Sequence, residues 1–240
     1  MINIAIDGPA GAGKSTLARM AAQKLGYIYV DTGALYRAVA LFVLQRGFDP
    51  HDAQAVCNML PMMDIELRFV DGEQRIYLCG ENVSRIIRTQ EVSMAASAVS
   101  AIGKVRDFLF DLQVDIAEKN DVIMDGRDIG TVVLPNAQVK IYLTASAEER
   151  AKRRWTELRD KGIDIEYEDV LEDIIERDHN DMNRPIAPLK PAPGSVRLDT
   201  TGLSLEEAEA ALLQTIHAQL NGGVGVIGSG FEDDFDDSDF

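Results

Sequence analysis

The sequence predicts an α/β fold: a parallel five-stranded sheet with flanking helices, a small inserted lobe and a helical lid. Three observations predict it. Short apolar runs alternate with helical stretches along most of the 240 residues, the pattern of parallel strands joined by crossover helices. The first apolar run leads straight into the spacing G-x-x-x-x-G-K-[ST] and then into a helix. A period-two hairpin interrupts the alternation once, which reads as an insertion rather than a core strand.

The first strand is read over residues 2–6, and Gly8-Pro9-Ala10-Gly11-Ala12-Gly13-Lys14-Ser15 follows it. Glycines there let successive backbone N–H groups turn inward on an anion, and the helix over 14–25 adds its unpaired N–H groups and positive end. Lys14 can reach the β- and γ-phosphates, and the Ser15 hydroxyl can ligate Mg²⁺. The fold is therefore of the P-loop NTPase type, and the chain is expected to bind a nucleoside triphosphate with magnesium. Gly26 caps the first helix, and 27–30 is a second strand. Asp31-Thr32-Gly33 opens a second helix over 34–45, ended by Gly47.

The insert, about 62–88, centres on alternating runs at 65–70 and 74–78 with Asp71-Gly72 as the turn between them. Helices follow over about 89–101 and 104–118. The third and fourth core strands are 121–125 and 139–143. Charged helices over 147–161 and 168–178 make a lid spanning about 147–182. A fifth strand over 196–199 precedes a terminal helix over 204–220, where Ser204 and Glu207 form a capping box.

Size and composition set bounds on function. With 46% hydrophobic and 27% charged residues, 1–220 is long enough for one well-packed domain. From Asn221 the chain turns glycine-rich and then acidic, and 221–240 is predicted to be disordered. Glu232, Asp233, Asp234, Asp236, Asp237 and Asp239 supply six of the sixteen excess negative charges. Such an acidic surface argues against a nucleic-acid footprint, which needs a basic face. No run of about 18 apolar residues is present, so no membrane span is expected. Met1 leads directly into the first strand, leaving no room for a signal peptide. Cys57 and Cys79 lack ligand-like spacing and read as reduced, semi-buried residues of a cytoplasmic protein. Nothing calls for an oligomer, so a monomer is expected.

Ligands of open α/β sheets sit beyond the carboxyl ends of the strands. Two such ends carry arginines, Arg37 after the second strand and Arg127 after the third. A guanidinium holds phosphate through two parallel hydrogen bonds and keeps its charge. A second anion site beside a triphosphate site points to phosphoryl transfer. Arg150, Arg153 and Arg154 recur at helical spacing, followed by Arg177 and Arg184. Two readings stand for Arg153 and Arg154: a solvated face paired with Glu148, Glu149 and Glu157, or a lid that brings charge to the moving phosphoryl and excludes water.

Taken together, the motifs resemble bacterial cytidylate kinases, of the nucleoside monophosphate kinase group. They are G-P-A-G-A-G-K-S-T at 8–16, D-T-G-A-L-Y-R at 31–37, R-T-Q-E-V at 88–92, A-A-S-A-V at 95–99 and K-V-R at 104–106. D-G-R-D-I-G-T-V-V at 125–133, A-S-A-E-E-R-A-K-R-R at 145–154 and E-R-D-H-N-D-M-N-R at 176–184 complete them in the family's order. The hairpin resembles the insertion that separates this family from adenylate kinases. The acidic tail lies outside the pattern.

The resemblance implies ATP with Mg²⁺ on Gly8, Pro9, Ala10, Gly11, Ala12, Gly13, Lys14, Ser15 and Thr16, with CMP or dCMP opposite. It implies Arg37, Arg127 and Arg184 on the acceptor's phosphate, and Thr32 and Tyr36 lining that site. Ser97, Arg106 and Asp128 would face the cytosine and Asp181 the sugar. Lys14, Arg127, Arg153, Arg154 and Arg177 would carry catalysis. A carboxylate at Asp128 accepts from cytosine's exocyclic amine and is left unpaired by the uracil carbonyl. Read without the family, a structural ion pair with Arg127 or Arg106 is the lesser alternative for Asp128. The acceptor phosphate is already an anionic nucleophile, so no general base is expected. His51, His179 and His217 are read as incidental.

Other readings remain at this point: a P-loop kinase for UMP or a metabolite, a switch GTPase, or a regulatory nucleotide-binding module. The N/T-K-x-D guanine motif of GTPases is missing. A regulatory module has no need of a second arginine-rich anion site.

Overall fold

The computed structural model describes residues 1–70, 73–160 and 162–222. Along the chain come β1 (Asn3–Asp7), α1 (Lys14–Leu25), β2 (Ile28–Asp31), α2 (Thr32–Gln45), α3 (Ala53–Met59), β3 (Ile65–Val70), β4 (Glu73–Leu78) and β5 (Glu81–Asn82). Then follow α4 (Gln90–Ser100), α5 (Gly103–Lys119), β6 (Val122–Gly126), β7 (Val139–Thr144), α6 (Ala147–Asp160), α7 (Tyr167–Asn183), β8 (Val196–Asp199) and α8 (Leu205–Leu220).

Five strands pair in parallel in the order β2-β6-β1-β7-β8. The central strand β1 has Ile4 opposite Ile123 on one side and Val139 on the other. Both faces of the sheet are covered, which is why its strands read as nearly continuous apolar runs. Ile4, Ile6, Ile123, Ile141 and Leu143 pack on Leu17 and Ala21 of α1 and on Leu212 and Ile216 of α8. The alternate positions Ala5, Val30, Val122 and Met124 pack on Ala117 of α5. This alternation follows from the period of two along a strand.

Strands β3, β4 and β5 form a separate antiparallel sheet in that order. Helix α2 anchors it. Leu35, Val39 and Phe42 share one core with Ile76, Leu78 and Val83 of the insert and with Val92 and Val99 of α4. Helices α6 and α7 have a small core of their own, Ala151, Leu158, Val170 and Ile174. Trp155 closes it by donating Nε1–H to the Ile165 carbonyl at 2.9 Å.

Several predicted elements shift. Strand β1 runs to Asp7 rather than stopping at Ile6, because Asp7 still pairs with Gly126 and Tyr142. Strand β2 begins at Ile28, since the Tyr27 N–H is spent on the Ala22 carbonyl, closing α1. Helix α2 starts two residues early, at Thr32, because the Asp31 carboxylate caps it by accepting from the Ala34 N–H at 3.0 Å. Helix α7 extends to Asn183, well beyond the predicted 178. Five elements among the described residues were not predicted: α3, strand β5, short 3-10 turns at Leu60–Met62 and Ile86–Arg88, and a wide turn of π-helix at Ile129–Val133. Cys57 is half-buried, but Cys79 is exposed in a turn with φ of 49°, not semi-buried as expected. The Asp71-Gly72 turn, the end of the 147–161 helix and residues 223–240 of the predicted tail lie outside the described residues. No helix among the described residues is long and apolar enough to cross a membrane.

Candidate functional site

The carboxyl ends of β2, β6 and β1 lie side by side; β2 and β1 end in Asp31 and Asp7, and Asp125 is the penultimate residue of β6. Above them opens a cleft of about 580 Å³. One end of the cleft is the loop from Ala10 to Thr16. The other is formed by Thr32, Tyr36, Arg37, Ser97, Arg106, Arg127, Asp128, Asp181 and Arg184, and Arg153, Arg154 and Arg177 of α6 and α7 also line the cleft. Of the residues that the resemblance assigns to ATP, CMP or catalysis, only Gly8 and Pro9 do not line it.

Gly8 has another role. At φ of 150° its Cα faces β7 so closely that an added Cβ would sit 1.9 Å from the Leu143 carbonyl oxygen. Only glycine lets the loop leave β1 there. Gly13 adopts φ of 87° as the N-cap of α1, aiming the first turn of the helix into the cleft. Lys14 is buried at the start of α1 and donates Nζ–H to the Pro9 carbonyl at 2.7 Å. Burial first, and the neighbouring Arg127 second, pull its ammonium down to about 7. The Ser15 hydroxyl donates to Asp125 Oδ2 at 2.9 Å. Asp125 Oδ1 is buried with no hydrogen-bond partner. Burial first, then the charge on Asp31, push Asp125 up to about 6.

Every acceptor-end cation but one meets a carboxylate. Arg37 pairs with Asp31 at 2.7 Å and Arg127 with Asp181 at 2.7 Å. Asp128 takes both Arg106, in a short contact, and Arg184 at 3.3 Å, all three being buried. The ion-pair reading of Asp128 thus holds for Arg106, and not for Arg127. Arg153 and Arg154 pair with Glu149 and Glu157, as the solvated-face reading expected, yet both also face the cleft. Arg177 is the exception. Its Nε is buried without a partner, and burial and Arg127 together lower its pKa. Burial pushes Asp181 up, but Arg127 outweighs it and holds the carboxyl below its usual range. His179 is exposed, bonded only to Asn183.

Three further supports have no role predicted from the sequence. Arg150 turns away from the cleft, is buried, and donates to the Ala10 carbonyl at 3.0 Å and the Ala145 carbonyl at 2.8 Å while pairing with Asp178 at 2.6 Å. It ties the loop to α7. Leu203, Leu205 and Ala208 extend the cleft beyond the loop as an apolar rim. Asp7 is buried and accepts the Ile129 and Gly130 N–H groups, each at 2.7 Å, which fixes the turn directly after Asp128.

Burial raises Asp7 to about 6 against the pull of those two bonds. A carboxyl raised on folding stabilises most below its ordinary value of 3.8, and that contribution is lost as pH climbs through 6. The stability difference between wild type and Asp7→Asn is therefore expected to be about 1 kcal/mol more favourable to wild type at pH 5 than at pH 8. Urea unfolding at both values checks this, and an unchanged difference refutes it.

Residues 4–218 match the family model described as cytidylate kinase. The chain is 53% identical over 216 residues to a cytidylate kinase of Caldicellulosiruptor bescii, covering 90% of this chain and 96% of that one. It is 48% identical over 220 residues to a cytidylate kinase of Pasteurella multocida, covering 92% and 97%. Over 204 residues it is 51% identical to cytidylate kinase 1 of Haemophilus influenzae, covering 85% and 88%.

Proposed function

The chain belongs to the cytidylate kinase family, and from that premise we propose how its cleft moves the γ-phosphoryl group of ATP onto CMP or dCMP. One observation carries the assignment: a single cavity joins a glycine-rich anion loop to a second cluster of cations that a carboxylate, Asp128, borders. Two phosphates can therefore meet inside one protein-lined space.

The donor's phosphates lie on the N–H groups of Ala10 to Thr16, with Lys14 on the β- and γ-oxygens. Ser15 and Asp125 suit Mg²⁺: both offer hard oxygens, and Asp125 Oδ1 is buried with nothing bonded to it. The ion, when bound there, would supply positive charge to the donor's phosphates. Arg37 and Arg127 hold the acceptor's phosphate, exchanging Asp31 and Asp181 for it in part, while Arg184 stays close. Asp128 and Arg106 read the cytosine edge beside Ser97, Thr32 and Tyr36 line that end, and Asp181 turns to the sugar. Arg177, which forms no close ion pair among the described residues, gains a partner in the moving phosphoryl, and Arg153 and Arg154 close over it. The apolar rim at Leu203 and Leu205 receives the donor base. No residue needs to take a proton, because the attacking phosphate oxygen is already anionic; catalysis is alignment and charge neutralisation.

A monomer suffices, since one chain builds the whole cleft. The free thiols Cys57 and Cys79 fit a reducing, cytoplasmic setting.

A coupled assay over CMP, dCMP, UMP, AMP and GMP tests this reading. Turnover is expected with CMP and dCMP well above the other three. It should fall to background in EDTA and return with Mg²⁺. Equal rates with UMP would refute the base assignment, and turnover persisting in EDTA would refute the metal assignment.

A further inference from the structure

We propose that Gln74, on the inserted sheet, is a positioning residue for the acceptor-phosphate grip, acting through Asp31 on Arg37. This rests on the assignment of Arg37 to the acceptor phosphate.

The geometry is specific. Strand β2 is an edge strand of the central sheet, so part of its backbone has no neighbouring strand to pair with. Gln74 fills that place with a side chain. Its Oε1 accepts the Asp31 N–H at 2.7 Å, and its Nε2 donates to the Asp31 carbonyl at 3.2 Å. The amide thus bonds both backbone groups of one residue, as a paired strand would. The two residues lie 43 positions apart in sequence.

Asp31 is where this matters. Its Oδ1 accepts from the Ala34 N–H at 3.0 Å and caps α2, and its Oδ2 accepts from Arg37 at 2.7 Å. The pair lies close over Gly33, where a Cβ would stand 3.1 Å from Arg37 Nη1 and 3.2 Å from Asp31 Oδ1. Gln74 therefore holds the backbone of the residue that aims Arg37. Removing its two bonds frees the Asp31 peptide and loosens the guanidinium, while the donor loop, at the other end of the cleft, keeps its own supports.

The test uses Gln74→Met, which keeps length and volume and removes both bonds. The expected result is a KM for CMP raised about tenfold, with the KM for ATP within about twofold of wild type. If Gln74→Met is too unstable to assay, Gln74→Leu gives the same readout, since it also removes both bonds. The route through Arg37 is tested by combining Gln74→Met with Arg37→Lys. If Gln74 acts through Arg37, the double variant shows less than the product of the two single effects on the KM for CMP. Three results overturn the inference: an unchanged KM for CMP, an equal rise in both KM values, or fully multiplicative effects. Failure of the underlying assignment looks different, because Arg37→Lys alone would then leave the KM for CMP unchanged.

Discussion

Replacing Lys14 with alanine or methionine is expected to abolish transfer, lowering kcat/KM by about 10³-fold or more, of the order of 4 kcal/mol of transition-state stabilisation. Lys14 is buried, stands at the first turn of α1, and reaches back to the Pro9 carbonyl across the floor of the loop. Its ammonium is poorly tolerated there, which is why burial and Arg127 draw its pKa down to about 7. A lysine depressed on folding has its charged form penalised, and the whole penalty applies below the folded value, where both states are protonated. A triphosphate reverses the balance by supplying the missing negative charge. Lys14→Met is accordingly expected to be inactive yet no less stable than wild type at pH 6. Initial rates and thermal unfolding on the same preparation check both halves. Near-normal rates would contradict the phosphate role, and a large loss of stability would show that Lys14 is structural.

The second large effect concerns Asp128. Its two oxygens compensate two buried guanidinium groups, Arg106 and Arg184. Truncation to alanine would leave both uncompensated, a loss of about 3–5 kcal/mol that would obscure any effect on base choice. Asp128→Asn keeps the shape and one acceptor oxygen, and turns the other oxygen into a donor. That donor can meet a uracil carbonyl and opposes cytosine's amine. The ratio of kcat/KM for CMP to that for UMP is expected to fall by about 10- to 100-fold, corresponding to about 1–3 kcal/mol. The KM for ATP should be unchanged. Equal losses with both acceptors would mean that Asp128 only pins the two arginines.

Much of this molecule was legible from its residues, and the reasons for that are physical. The anion loop is local: its function follows from backbone conformation and from Lys14 and Ser15 within eight consecutive positions. The parallel sheet was legible because strands covered on both faces must be apolar throughout, as at Ile4-Ala5-Ile6. Ser204 and Glu207 marked the start of α8 because a capping box is a four-residue event. What escaped depends on distant partners. Asp7 could have been read as the polar end of an apolar run, but nothing local says that it binds Ile129 and Gly130 more than 120 positions away. Arg150 shares its helical spacing with Arg153 and Arg154, and only burial against Ala10 and Asp178 separates its task from theirs. The π-turn at Ile129–Val133 answers to Asp7 rather than to any propensity of Ile-Gly-Thr-Val-Val. The length of α7 was underestimated because its last turns are rich in Asp and Asn, poor helix formers whose carboxylates are here engaged by Arg150 and Arg127.

The contact between Gly8 and Leu143 has one more consequence. With no space for even a methyl group there, the root of the anion loop cannot slide against β7, just as Asp7 keeps the root of the 128–133 turn from sliding against β1. Both roots are thus bolted to neighbouring rows of one lattice of backbone hydrogen bonds. On the proposed assignment, the spacing of the donor and acceptor phosphates would follow from strand register.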